Sequence, residues 1–428
     1  MKNLNVSLRA VFICIGIFYV SQSYALTPNL LISKNKTITS SNTSNLASVI
    51  DGKYSGGWNI SANSWIAINV GKGPSKVFFL WDSPMQIWSD SVALPLAVGK
   101  SCWQTVNMPF EYAISTSDSS TTGADGQWTD AVSIKNNVVA GRGHLVDFTG
   151  KSWIKMSIAK GTGQIDEIGV FDASKGIEDS WIFIGTSISQ MAFRSTPPAN
   201  CFADLITKSH SGYTPAMIRG GIGCIFSANL ADDVSKYLAN AGNVHFWAIE
   251  MGTNDCWDKL NASIFKANLQ RVIDSCRARQ IEPIIARLIA TNQAKVGWQV
   301  TPEYLAAIDD LTAKNKLIPG PDLYTYFLQH QSELNSDGVH PSAAGSASIQ
   351  RLWAEKMDSL YTATSVKPRH SSIMKQPKLC IAPTRKSLIL STEAPGKASI
   401  FSIKGELLER KSPVTGFQLT VVNTKLER

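Results

Sequence analysis

The sequence predicts a multidomain chain: an N-terminal all-β sandwich, a central three-layer α/β/α domain on a parallel sheet, and a small C-terminal β module. Three observations predict it. The 428 residues exceed one ordinary domain. A hydrophobic content of 44% against 17% charged residues allows sizeable buried cores and argues against global disorder. The apolar pattern also changes character twice, near residues 178 and 379.

Residues 1–25 read as a secretory signal peptide. Lys2 and Arg9 charge its start, Val11 to Val20 form an apolar run, and Ser23-Tyr24-Ala25 puts small residues at both cleavage-defining positions. The run is too short to span a bilayer comfortably, so export with cleavage is expected rather than a membrane anchor. No other segment is long and apolar enough to span, so no membrane span is expected after cleavage. Loss of Cys14 would leave Cys102, Cys201, Cys224, Cys256, Cys276 and Cys380. An even count in an exported chain permits disulfides, and Cys201–Cys224 and Cys256–Cys276 are candidate pairs. Buried free thiols are the alternative. The spacing fits no zinc pattern, so no metal or other cofactor is expected. The formal charge is +8, from scattered Lys and Arg without an interleaved aromatic stripe, which argues against a nucleic-acid partner.

Residues 28–175 carry short β-rich runs separated by Ser, Asn, Asp and Gly clusters. Trp65 to Val70, Lys76 to Trp81 and Phe110 to Ser115 are examples, and no helical period persists, which predicts a sandwich. Trp58, Trp81, Trp88 and Trp103 could stack on sugar rings, but large aromatics in a sandwich are mostly core.

At residue 178 the rhythm changes. Trp181-Ile182-Phe183-Ile184-Gly185 is a continuous apolar run, as a parallel strand buried on both faces requires. Further runs follow at Pro215 to Ile218, Val244 to Glu250 and Pro283 to Leu288. Helical stretches separate them: Ala228 to Asn240, Ile264 to Arg279, Pro302 to Asn315 and Ala343 to Tyr361. Such alternation through residue 362 implies helices on both faces of a parallel sheet. Residues 363–378 are polar and basic, carry Pro368 and Pro377, and read as a linker. Residues 379–428 return to β runs: Ser387 to Leu390, Ala398 to Ile403 and Phe417 to Val422.

Four ordered blocks in the central domain carry chemistry. Gly185-Thr186-Ser187-Ile188-Ser189 puts a serine where a strand gives way to a helix, at the sheet edge where open parallel sheets bind ligands. Ser187 is the candidate nucleophile. Arg219-Gly220-Gly221-Ile222-Gly223-Cys224 follows a strand, and its glycines would let a backbone N–H approach a substrate carbonyl. Gly252-Thr253-Asn254-Asp255 offers the Asn254 amide to a developing oxyanion, with Asp255 bracing the loop. Asp337-Gly338-Val339-His340-Pro341 supplies a base, His340, and an orienter, Asp337. His144, His210, His245, His330 and His370 stand in no comparable setting.

These blocks resemble the SGNH (GDSL-like) hydrolase family over roughly 180 residues, about the size of one domain. The resemblance implies a flavodoxin-like sheet, a Ser187–His340–Asp337 triad, and an oxyanion hole from Ser187, Asn254 and either Gly223 or Cys224. One departure is Thr186, where the family usually has Asp. Asn29-Leu30-Leu31, Val49 to Gly52, Trp65 to Gly71, Tyr112 to Ser115, Trp128 and Ile165 to Phe171 resemble discoidin-like, galactose-binding-like jelly rolls. Ile400 to Leu408 resembles modules that some bacteria use for secretion sorting and surface attachment. Together these imply a secreted bacterial serine esterase acting on acetylated carbohydrate, such as acetylated xylan or a related plant polysaccharide. A lipase or thioesterase on the same triad is one alternative. A glycan-binding protein with a spent hydrolase scaffold is the other.

Overall fold

The computed structural model describes residues 26–42, 46–83, 109–137, 139–194, 196–241, 244–362, 396–401 and 407–414. The chain divides into two compact units, residues 1–364 and 365–428.

The first unit opens with antiparallel strands. They are β1 (Leu30–Leu31), β2 (Thr37–Ser40), β3 (Trp58–Ile60), β4 (Trp65–Asn69), β5 (Lys76–Asp82), β6 (Pro109–Ser117), β7 (Thr129–Ile134), β8 (Gly141–Asp147), β9 (Trp153–Gly161), β10 (Gly163–Ile165) and β11 (Glu167–Asp172). Two sheets result, ordered β1-β11-β5-β8 and β2-β4-β9-β6-β7, with β10 and β3 paired separately. Alternation explains their packing. On β4, Ile66 and Ile68 point into the sandwich core, where they meet Ile154 and Met156. Trp58 and Trp81 are fully buried core residues; Trp88 and Trp103 lie outside the described residues. Strand β5 is apolar on both faces for a reason. Val77, Phe79 and Trp81 enter the sandwich core, while Phe78 and Leu80 join a second core built largely from the domain that follows.

That domain holds β12 (Ser180–Gly185), β13 (Ala216–Gly221), β14 (Phe246–Glu250), β15 (Glu282–Arg287) and β16 (Pro319–Asp322), all parallel, in the order β13-β12-β14-β15-β16. Its helices are α1 (Ser187–Arg194), α2 (Phe202–Ser209), α3 (Ser227–Asp232), α4 (Val234–Ala241), α5 (Thr253–Trp257), α6 (Ala262–Arg277), α7 (Gln293–Val296), α8 (Pro302–Asn315), α9 (Leu323–Gln329), α10 (Ala343–Met357) and α11 (Ser359–Thr362). On β12, Trp181 and Phe183 face the layer of α1, α2, α9 and α10, and Ile182 and Ile184 face the layer of α3, α4, α6 and α8. In α6, Phe265, Leu269, Val272, Ile273 and Cys276 form one apolar stripe at helical spacing. The Asn261 side chain caps its start by accepting the N–H of Ser263 at 2.8 Å.

The structure differs from the sequence reading at several points. The helix expected from Ala228 to Asn240 is two helices broken at Asp233, and the one expected from Ala343 to Tyr361 breaks at Asp358. Strand β16, Pro319-Gly320-Pro321-Asp322, escaped notice because two prolines read as a loop; they are tolerated because the strand is an edge. Neither candidate disulfide forms. Cys201, Cys256 and Cys276 are free and buried inside apolar packing, whereas Cys224 is disulfide-bonded to none of these three.

The second unit shows an antiparallel pair, β17 (Gly396–Phe401) and β18 (Leu407–Val414). The expected strands at Ser387 to Leu390 and Phe417 to Val422, the linker, and the signal segment lie outside the described residues. Among the described residues no helix is long and apolar enough to cross a membrane.

Candidate active site

Strand β12 ends at Gly185, and Ser187 is the first residue of α1. Glycine is required at 185 because a Cβ there would sit 2.2 Å from the Glu250 carbonyl oxygen and 2.3 Å from Ser189 Oγ. At Gly221 a Cβ would meet Gln190 N at 2.2 Å. These two glycines let α1 lie close against the ends of β12 and β13, which holds the serine at the carboxyl edge of the sheet.

His340 arrives from the far end of the domain. Ser187 Oγ lies 2.8 Å from His340 Nε2, and His340 Nδ1 lies 2.8 Å from Asp337 Oδ2. The other carboxylate oxygen, Asp337 Oδ1, accepts the N–H groups of Val339 at 2.9 Å and His340 at 3.0 Å. Gly338 makes this tight loop possible. Its φ of +72° is left-handed, and a Cβ would press on Asn292, Lys295 and Val296 at 3.2 Å. The Gly338 carbonyl accepts the N–H of Asn292, and the His340 carbonyl accepts that of Asn335, so the loop is fastened on both sides. Partial burial pushes the Asp337 carboxyl up, but the two backbone N–H groups and the imidazole outweigh it and hold the carboxyl below its usual range. Asp337 is thus an ionised acceptor that fixes a proton on His340 Nδ1 and leaves Nε2 able to take one from Ser187.

The remaining predicted residues line the neighbouring strand ends. Gly223 and Cys224 form the turn between β13 and α3, with Cys224 left-handed at φ +65°. Gly252 has φ +132°, and a Cβ there would strike Phe265 at 2.6 Å. Only glycine therefore fits ahead of Thr253 and Asn254. One N–H of the Asn254 amide donates to the Ile225 carbonyl at 2.8 Å, tying the Asn254 loop to the Gly223–Cys224 turn. Asp255 braces this corner: it is fully buried and accepts both the N–H and the hydroxyl of Ser227, while Asn268 Nδ2 donates to Ser227 Oγ at 3.0 Å. Burial raises the Asp255 carboxyl against those hydrogen bonds.

Sequence reasoning missed Glu250, the last residue of β14. It is 2% exposed and receives the hydroxyls of Thr186, Ser189 and Thr253. An acidic residue ending an otherwise apolar strand was the available signal. Thr186, the departure from the family pattern, is fully buried; its hydroxyl donates to Glu250 at 3.2 Å and accepts the N–H of Ile188 at 3.2 Å. Among the described residues no His, Cys, Asp and Glu group could hold a metal ion. The arrangement can do acyl transfer: a hydroxyl, a base, an orienter and nearby amide donors stand at one sheet edge.

No family model matches the chain, and no curated relative matches it. Solved structures do resemble it. The YXIM protein of Bacillus subtilis is 12% identical, with 72% of this chain and 89% of that one covered at a TM-score of 0.39. A variant of an acetyl-xylooligosaccharide esterase from Geobacillus is 15% identical, covering 45% and 99% at 0.36. A member of the lipolytic G-D-S-L family from Veillonella parvula is 17% identical, covering 43% and 99% at 0.35. Such distant likenesses lend no weight to a choice of chemistry, which rests on the geometry above.

Proposed function

We propose that the chain is an exported serine esterase that removes small acyl groups, acetyl above all, from carbohydrate. The observation that carries the reaction class is the unbroken relay from Asp337 through His340 to Ser187, two contacts of 2.8 Å each. Ser187 Oγ attacks the ester carbonyl as His340 Nε2 takes its proton. The tetrahedral oxyanion is met by the Asn254 amide and by backbone N–H groups of Ser187 and the Gly223–Cys224 turn. The C–O bond to the sugar then breaks, and His340 returns the proton to the leaving alcohol. Water activated by the same imidazole releases the acid and restores Ser187.

Carbohydrate is supported by the secretory pattern at residues 1–25 and by the likeness of the sandwich sequence to glycan-binding jelly rolls. The natural substrate class is acetylated xylan or a related plant polysaccharide, and residues 379–428 serve sorting or surface attachment.

The test is acetate release across a panel of acetylated polysaccharides, with Ser187→Ala as control. Release that persists in the variant sinks the assignment. A preference for long-chain p-nitrophenyl esters points to a lipase or thioesterase instead. Glycan binding without labelling of Ser187 by a fluorophosphonate points to a spent scaffold.

A further inference from the structure

Beneath the Thr186–Ser187 turn lies a carboxyl group that the relay does not use. Glu250 Oε2 receives the hydroxyls of Thr186 at 3.2 Å and Ser189 at 3.4 Å, and Oε1 receives that of Thr253 at 3.2 Å. Its backbone takes part as well, the carbonyl accepting the N–H of Thr186 at 3.3 Å. Among the described residues these hydroxyls, from the β12–α1 turn, α1 and α5, are its side-chain partners. The two threonines have informative neighbours. Thr186 precedes the candidate nucleophile Ser187, and Thr253 precedes the candidate oxyanion donor Asn254.

We infer that Glu250 is a positioning residue that sets the spacing between Ser187 and Asn254 by holding Thr186 and Thr253 on its two carboxyl oxygens. This rests on the esterase reading. The reason lies in what a carboxylate can accept. Ionised, it is acceptor-only and takes all three hydroxyls at once; protonated, one oxygen becomes a donor and a hydroxyl must turn away. The Thr186 hydroxyl also receives the Ile188 N–H, so its hydrogen is directed only while Glu250 accepts it. Burial, opposed by the three hydroxyls, pushes the carboxyl up to about 7, which places the change within the neutral range. Loss of one contact loosens the turn on which Ser187 stands, and catalysis is sensitive to shifts well under an ångström.

The experiment is kinetics on p-nitrophenyl acetate with the full chain. Glu250→Gln keeps the shape but cannot ionise and presents an amide N–H2 where an acceptor stood. Its kcat falls about 10- to 100-fold with KM within about twofold, as misplacement of a reacting group predicts. Its pH profile loses one ionisation from the neutral range. Thr186→Val, which removes one leg, reproduces the fall, and Thr186→Ser, which restores the hydroxyl, recovers it. Wild-type kcat with an unchanged pH profile in Glu250→Gln overturns the inference, as does a loss confined to KM. If Glu250→Gln does not fold, equal kcat in Thr186→Val and Thr186→Ser overturns it. A wild-type protein that hydrolyses no ester overturns the esterase reading; an active wild type with an indifferent Glu250→Gln overturns only this inference.

Discussion

The hydroxyl of Tyr54 accepts the N–H of Met217 at 2.9 Å and donates to the carbonyl oxygen of that same residue. Met217 lies on β13, the edge strand of the parallel sheet. Two residues on, Asp82 accepts the Arg219 N–H at 2.8 Å and Arg194 donates to the Arg219 carbonyl at 3.0 Å. Side chains thus occupy the outward-facing backbone groups that would otherwise invite another strand. Tyr54 and Asp82 come from the sandwich, so that domain closes the edge of the sheet that carries the site.

Tyr54→Phe should therefore destabilise the chain without altering its packing. The ring stays beneath the Arg219 guanidinium, which lies 5.4 Å from its centre, while two buried backbone groups lose their partner. The expected cost is about 1–3 kcal/mol, the usual penalty for a buried polar group left unpaired. The urea midpoint measures it, and an unchanged midpoint would mean that water replaces the hydroxyl.

Asp82 carries a larger share. It is fully buried, and its carboxylate meets the Arg219 guanidinium at 3.0–3.1 Å and Arg194 at 3.7 Å. Asp166 holds the other side of Arg219 at 2.6 Å, so two acids balance two guanidinium groups. Asp82→Ala leaves a buried positive charge uncompensated and should cost about 3–5 kcal/mol. By the same logic residues 178–362 expressed alone uncover β13 and Arg219 together and should aggregate; a soluble monomer with a cooperative melting transition would refute the edge-closing role.

Asp337→Asn tests the relay from its outer end. Asn can still accept the N–H groups of Val339 and His340, so the loop should persist. What faces His340 Nδ1 becomes an N–H2 donor. That selects the tautomer with its proton on Nε2, which cannot take one from Ser187. The expected loss in kcat is about 10³- to 10⁴-fold, as for a wrongly oriented base in other triads. Circular dichroism should be unchanged, and residual activity within tenfold of wild type would assign the base's orientation to something other than Asp337.

The sequence revealed what local patterns encode and missed what distant partners decide. Ser187, Asp337 and His340 were readable because each sits in a short block after a strand or in a tight loop, and the structure brings the three together. The strand of residues 180–185 announced itself by unbroken apolarity, since both of its faces are covered. Strand β16 did not, because its two prolines follow edge rules rather than core rules. The run Lys76 to Trp81 was legible as a strand of the sandwich, but not that Phe78 and Leu80 would be covered on its second face. Cysteine pairing failed for a related reason: spacing along the chain says nothing about which thiols packing will seal away. Glu250 was missed because its three partners lie 3, 61 and 64 residues from it in the chain.

Glu250 should also leave a mark on stability. Burial raises its folded-state carboxyl to about 7, above the ordinary glutamate value of 4.5, so the folded chain holds this proton more tightly than the unfolded one. The sign follows. The contribution is fully present below pH 4.5 and is lost as pH rises through 7, because ionising this buried carboxyl costs more free energy than its three hydroxyl partners return. Glu250→Gln removes the ionisation but keeps the volume. Urea midpoints of the two proteins from pH 4.5 to 8.5 isolate the effect, since every other titrating group is common to both. The midpoint of the wild type should fall relative to that of Glu250→Gln across this range, while its kcat exceeds the variant's most at the alkaline end. Opposite trends in stability and turnover would tie the strain of a buried anion to the placement of Ser187; parallel midpoint curves would show that this carboxyl is ionised throughout.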